Sequence, residues 1–339
     1  MKRWYFWVGL LVSAGFLYLA LRGQDFPELW NAIQTAKLIW LIPAVLVYFV
    51  DVSVRSWRWH YLLRPVQAIS PSKVFPIVAM GYMGNNIFPA RAGELLRAAV
   101  LKRRYAVPVS TTLATILVER IFDGVVMLGF IFFNLRELSG LSSSSGFIGN
   151  IRSLALWGSI AFLGALAVFL LAAIFPKKIE TILIKIIDVL LPSKWREGAA
   201  SIVGRFMGGL ESLRSPKEAL MVFFTSVAIW LLETLTYWFV MHAFPFRVSL
   251  FALMLMNGIV NLSTTLPSAP GYIGTFDAPG IALLSAYGVA PALTAGYTLV
   301  LHAALWLPIT LVGGFFFARE GLNWSKELKN AQAERTQKQ

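Results

Sequence analysis

The sequence predicts an all-α integral membrane protein with about six full crossings plus two oppositely oriented re-entrant helical hairpins, arranged as an inverted repeat. Three observations lead there. Uncharged runs are long: Ser153 to Phe175 has no charged residue in 23 positions, and Trp4 to Leu21 none in 18. The hydrocarbon of a bilayer needs about 20 residues at about 1.5 Å each. Lys and Arg collect in a few segments between these runs. Two Pro- and Gly-bearing stretches, "FPARAG" at 88–93 and "LPSAPG" at 266–271, interrupt apolar sequence 178 residues apart.

Lys2 and Arg3 precede the first apolar run, as in a signal peptide. The run ends in "LYLALRGQ", which lacks a small-x-small cleavage step, so 4–21 reads as a retained crossing. Further crossings fall at 38–60, 111–133, 153–175, 219–243 and 294–318. The loop from Arg55 to Lys73 carries Arg55, Arg58, Arg64 and Lys73 and no acid. The 101–110 loop carries Lys102, Arg103 and Arg104, and the tail carries Arg319, Lys326 and Lys329. The positive-inside rule puts all three on the cytoplasmic side, with both termini cytoplasmic.

That assignment makes 74–100 enter and leave on one side, with arms of about 15 and 10 residues. Neither arm spans about 30 Å. The same count makes 248–289 a hairpin entering from the opposite side. Broken helix within a bilayer survives where protein or a wet cavity satisfies its backbone. In the cytoplasmic connection 176–218, Ile179, Ile182, Leu183, Ile186, Ile187, Leu190 and Leu191 recur at helical spacing between charged residues. They predict an amphipathic helix in the membrane interface. The chain thus reads as one transmembrane domain, 1–320, with halves 1–135 and 153–318 and a polar cytoplasmic tail, 321–339.

The halves resemble each other. "YAV" at 105–107 matches "YGV" at 287–289, an offset of 182. The same offset sets Asp51 against Glu233 and Arg120 against His302. Crossing–hairpin–crossing therefore recurs, and the loop charges give the copies opposite topology. Inverted repeats with broken helices near the midplane characterise transporters.

The charges cluster. Arg91, Glu94 and Arg97 follow Pro89 at intervals of three and share a helical face. Pro89 can start that helix, whose N-terminus favours anions. Arg91 offers a planar cationic fork suited to phosphate. In "LVERIFDG", Glu119 and Asp123 share a face and Arg120 points away from it. Mid-membrane charges pair with one another or face water, so Glu119 or Asp123 is expected to meet Arg91 or Arg97. A permanent ion-pair staple is the alternative reading. "TTLPSAPGYIGTFDAPG" at 264–280, with Pro267, Gly271, Gly274 and Asp277, reads as an unwound segment with free backbone groups, or as close helix packing. Asn85, Asn86 and Asn261 lie near the hairpin tips, placed to bind a headgroup or to cap broken helices. Asp51, Glu233 and His302 are candidates for proton coupling.

Composition excludes other classes. There is no cysteine, and the three histidines are widely spaced, so neither disulfide, thiolate nor metal chemistry is expected. The net charge of +13 suits anionic lipid headgroups; no nucleic-acid-binding fold accompanies it. No nucleotide-binding motif and no cofactor site is visible.

Together, "NNIFPARAGELLRA", "ATILVERIFDG" and "LPSAPGYIGTFDA" resemble the transmembrane, flippase-like domain of the lysyl-phosphatidylglycerol synthase/flippase (multiple peptide resistance factor) family, over roughly 5–320. The resemblance implies movement of a phospholipid or lipid-linked phosphate headgroup, such as a polyprenyl phosphate, across the cytoplasmic (inner) membrane of a prokaryote. It maps the family motif onto Pro89, Arg91, Gly93, Glu94 and Arg97, then Glu119, Arg120 and Asp123, then Pro267, Pro270, Gly271 and Gly274. The two-domain members carry a soluble aminoacyl-transferase domain that this sequence lacks, so no synthase activity is expected. A lipid-modifying synthase partner and a homo-oligomer are both compatible with that reading. Two further readings stay open: a secondary transporter of a small soluble anion or zwitterion, and a membrane enzyme acting on lipid phosphate.

Overall fold

The computed structural model describes residues 25–88, 91–134, 151–266 and 268–337, together with 11, 14–16, 18 and 22. The expected crossing 4–21 lies almost wholly outside these residues, as do Pro89 and Pro267. Among the described residues every regular element is a helix, and the protein is an all-α integral membrane protein.

The helices are α1 (Phe26–Gln34), α2 (Leu41–Leu63), α3 (Pro71–Ile87), α4 (Ala92–Tyr105), α5 (Val109–Phe133), α6 (Ile151–Ile174), α7 (Pro176–Leu190), α8 (Ser193–Gly209), α9 (Pro216–Met241), α10 (Leu250–Ser263), α11 (Asp277–Ala286) and α12 (Pro291–Gln337). Proline sits in the first turn of α1, α3, α7 and α9, where its missing N–H costs nothing. Asp25 and Ser249 cap α1 and α10, accepting from the Glu28 and Ala252 amides.

Three described helices are long and apolar enough to cross a membrane: Leu38–Leu63, Pro216–Met241 and Pro291–Gly321. Helix α5 has 25 residues, about 38 Å at 1.5 Å per residue, but carries Glu119, Arg120 and Asp123. The arms of the first expected hairpin are longer than the sequence suggested: α3 has 17 residues and α4 has 14. At about 26 and 21 Å they still fall short of about 30 Å. The expected amphipathic helix is α7, which buries none of its residues fully and leaves Ile182, Ile186, Val189 and Leu190 exposed. The expected polar tail is helical in backbone, since α12 continues to Gln337.

Packing follows a reciprocal scheme. Helix α2 lies against α9; α3 lies against α12, and α10 against α5. Within each expected hairpin, α3 packs on α4 and α10 on α11. Glycines permit the closest approaches. A Cβ at Gly93 of α4 would stand 1.8 Å from the Gly81 carbonyl oxygen of α3. One at Gly313 of α12 would stand 2.4 Å from the Ala79 carbonyl oxygen of α3.

Gly93→Ala should therefore force α3 and α4 apart and cost about 3 kcal/mol or more. Gly129→Ala, where a Cβ meets nothing within 4 Å, should be close to neutral. Thermal unfolding of the two variants in detergent checks the contrast.

Candidate functional site

A cavity of about 170 Å³ opens between these helices. A cavity of about 150 Å³ admits a molecule the size of benzene, so this one has room for a small polar group. Its wall draws on both halves of the chain: Tyr48 and Arg55 of α2, Tyr82, Asn85 and Asn86 of α3, Arg91, then Arg120, Asp123 and Met127 of α5. From the second half come Trp230 and Glu233 of α9, Asn261 of α10, Gly271 and Tyr272 of the following turn, and His302 and Trp306 of α12.

Arg91 sits where the two hairpins meet. It precedes α4 in a left-handed conformation, φ 51° and ψ 38°, so the helix starts at Ala92. That conformation costs a non-glycine residue about 1–3 kcal/mol, and its neighbours must hold it. Its Nη2 donates to the Thr264 carbonyl at 3.0 Å, and the guanidinium lies over the Tyr272 ring at 5.7 Å. Both partners belong to the second hairpin. Arg91 meets Glu94 only loosely, at 3.8 Å, and Arg120 meets the same Glu94 oxygen at 3.6 Å. Arg120 lies 3.7 Å from Asp123. The Arg120 Nε and Glu94 Oε1 atoms are buried without a hydrogen bond. Arg91 and Arg120 are 29% and 27% exposed, so both keep donor capacity toward the cavity.

Deeper pairs are tighter. Arg97 Nη1 lies 3.0 Å from Glu119 Oε2, which meets the expectation that α5 pairs with the first hairpin. The Arg97 guanidinium stacks on Trp59 at 3.9 Å. Neither Arg97 nor Glu119 lines the cavity. Arg58 donates to Asp123 at 2.6 and 3.3 Å and to the Ser226 hydroxyl at 2.6 Å, and lies 3.7 Å from Glu119. Trp230 Nε1 also donates to Asp123, at 3.1 Å. Arg55 bridges Asp51 and Glu233, each at 2.7 Å.

Arg55 and Arg58 correct the sequence reading, which counted them as loop charges. They lie inside α2, 5% and 1% exposed, and the loop after α2 begins at Arg64. The available signal was Asp51 four residues before Arg55, an i,i+4 pair within an apolar run. Trp230, Thr264 and Tyr272 carried no comparable signal.

The unwound segment is present. Gly271 and Gly274 adopt φ of 73° and 83° between α10 and α11. His302 Nε2 lies 2.7 Å from the Gly271 carbonyl oxygen; that oxygen only accepts, so Nε2 carries a proton. His302 Nδ1 meets Asp277 at 2.8 Å, and the other Asp277 oxygen accepts from the Gly274 amide. Asp277 and Gly274 thus shape the turn instead of lining the cavity. Asn86 binds the Trp306 carbonyl and Thr310 hydroxyl of α12, and Asn261 donates to Glu233 at 3.0 Å. The Asn85 amide oxygen is buried without a partner. Among the described residues no cluster of His, Asp and Glu could hold a metal ion.

Apolar helices around a shared, charge-lined cavity define the class: a helical membrane protein with a polar cavity between its two halves. The chain belongs to the family described as the lysylphosphatidylglycerol synthase TM region, whose sequence pattern matches residues 6–313. Its function is accordingly a lipid-related one at the membrane. It is similar to the glycosyltransferase AglD of Haloferax volcanii, 25% identical over 337 residues. That match covers 90% of this chain and 53% of AglD, so the chain spans about half the length of that relative. It is also similar to a UPF0104 membrane protein of Methanocaldococcus jannaschii, 23% identical over 90% of this chain and 91% of that protein. A UPF0104 membrane protein of Methanothermobacter thermautotrophicus is 24% identical over 93% of each chain. No solved structure matches.

Removing Arg58 would leave Asp123 and Glu119 short of a buried partner. Arg58→Met should cost on the order of 3–5 kcal/mol, whereas Arg91→Ala, at a partly exposed and loosely ion-paired position, should cost about 1 kcal/mol. Unfolding temperatures in detergent separate the two.

Proposed function

We propose that the protein translocates a phospholipid or lipid-linked phosphate headgroup between leaflets, passing it through the cavity between the two halves of the chain. The observation that carries this reading is the pair Arg91 and Arg120. Both face the cavity, share the single loosely held carboxylate of Glu94, and retain free donors. A phosphate replaces such weak pairing with charge-assisted hydrogen bonds. Crossing hydrocarbon is costly for a charged headgroup, and a paired, polar cavity offsets that cost.

Ile87, Phe88, Leu266 and Ile273, beside the lining residues in sequence, are exposed at 46–48%. An apolar border of this kind suits a substrate whose tails stay in lipid better than a small soluble anion. The inverted repeat belongs to the same reading. It is supported by the reciprocal packing of α3 on α12 and α10 on α5 about the α2–α9 pair. So do six crossings with both termini cytoplasmic, short re-entrant arms, and α7 lying in the interface of the inner membrane. Chemistry on the lipid is left to a separate synthase.

Purified protein in liposomes should exchange one labelled lipid among phosphatidylglycerol, lysylated phosphatidylglycerol and a polyprenyl phosphate. Arg91→Ala should lower that exchange at least tenfold while folding normally. Normal exchange by Arg91→Ala would remove this site from the reading. Transfer or hydrolysis of the headgroup would replace translocation by catalysis.

A further inference from the structure

Arg55 holds two carboxylates, Asp51 through Nε and Glu233 through Nη2, each at 2.7 Å. The three groups are 5%, 0% and 6% exposed. One cation therefore faces two acids in the middle of the α2–α9 contact. The pattern of the chain explains the imbalance. Asp51 and Glu233 are 182 positions apart, and so are Arg55 and Tyr237. Each half supplies an acid, but only the first supplies a base.

Among the described residues no second cation is in ion-pair contact with Asp51 or Glu233. On α2, Arg58 is committed to Asp123 of α5. Arg120 of α5 meets Asp123 and Glu94. Tyr48 of α2, Tyr82 of α3, and Tyr237 and Trp230 of α9 bring hydroxyls and rings. Asn257 and Asn261 of α10 bring amides, of which Asn261 donates to Glu233 Oε1. His302 of α12 is engaged with Asp277 and Gly271. Asp51 Oδ1 is buried with no hydrogen-bond partner at all. An unbalanced carboxylate in low dielectric is relieved most simply by taking a proton.

We propose that Asp51 and Glu233 carry one exchangeable proton between them, and that this proton is the coupling ion of the translocation reading. The second half of the proposal rests on that reading. Glu233 lines the cavity and Asp51 does not, so Glu233 is the route by which the proton meets water. Binding converts one carboxylate to a carboxylic acid and changes no other bond. The protonated triad is neutral and favours the closed α2–α9 contact; its loss leaves one negative charge, which draws in water or a cationic neighbour.

Infrared difference spectroscopy of the full-length protein in nanodiscs, stepped in pH, reads the proton without any lipid substrate. Wild type should show a protonated-carboxyl band that bleaches as pH rises. Glu233→Gln and Asp51→Asn should each lose it, since one acid then faces one arginine, and each should melt no lower than wild type. If one variant does not fold, the other carries the test. Absence of the band in folded wild type, its survival in both variants, or a response to sodium alone at fixed pH would overturn the proton site. In liposomes, an imposed pH gradient should drive lipid exchange severalfold in wild type and not in Glu233→Gln. Bleaching without any lipid exchange would overturn the coupling and the translocation reading but leave the proton site. Lipid exchange without bleaching would overturn the proton site and the coupling but leave the translocation reading.

Discussion

Charge held away from water governs this structure. Five arginines (55, 58, 91, 97 and 120) meet five carboxylates (Asp51, Glu94, Glu119, Asp123 and Glu233) across four helices and one hairpin tip. An isolated buried charge is costly, and removing one member of a pair costs more than the pair contributes. The network therefore sets register. Helix α2 can dock on α9 only where Arg55 reaches Glu233, and on α5 only where Arg58 reaches Asp123. The apolar clusters around these contacts fill space that the charges have already positioned.

Pair distances grade the network by role. The contacts of Arg55 and Arg58, at 2.6–2.7 Å, lie deep between helices. Those of Arg91 and Arg120, at 3.6–3.8 Å, lie at the cavity. The first group sets the helices in register and reaches the cavity wall through Arg55, Asp123 and Glu233, while the second is a set of charges whose partners leave them capacity. The hairpin tips are joined by the same logic. Arg91 reaches the Thr264 carbonyl and the Tyr272 ring, so the cavity-facing cation is also a bridge between halves.

Much of this was legible in the sequence. Helix-breaking residues inside apolar runs marked both tips. Glu119 and Asp123, four apart in a crossing, marked a buried face. Arg55 and Arg58 were not recognised as buried, because the positive-inside rule treats arginine as a loop residue. Side-chain charge near the end of an apolar run is ambiguous until its partner is known, and Glu233 is 178 residues away from Arg55. Asp277 and Gly274 were expected at the substrate; they instead brace His302 and the turn, a distinction that spacing cannot make. The aromatic wall of Tyr82, Trp230 and Tyr272 was invisible, since aromatic residues abound in any membrane helix.

Helix α12 has 47 residues, about 70 Å of helix, more than twice the thickness of the hydrocarbon, with Pro308 inside it. His302 and Trp306 stand on the cavity wall, and Glu320 further along is clasped by Arg104 at the end of α4. Pro308 lies between these two points, where its missing amide leaves one turn of the helix short of a hydrogen bond. The Arg104 clasp ties the stretch beyond Pro308 to α4, and so to the first hairpin. One helix thus serves two neighbours, the cavity before its proline and the end of α4 after it.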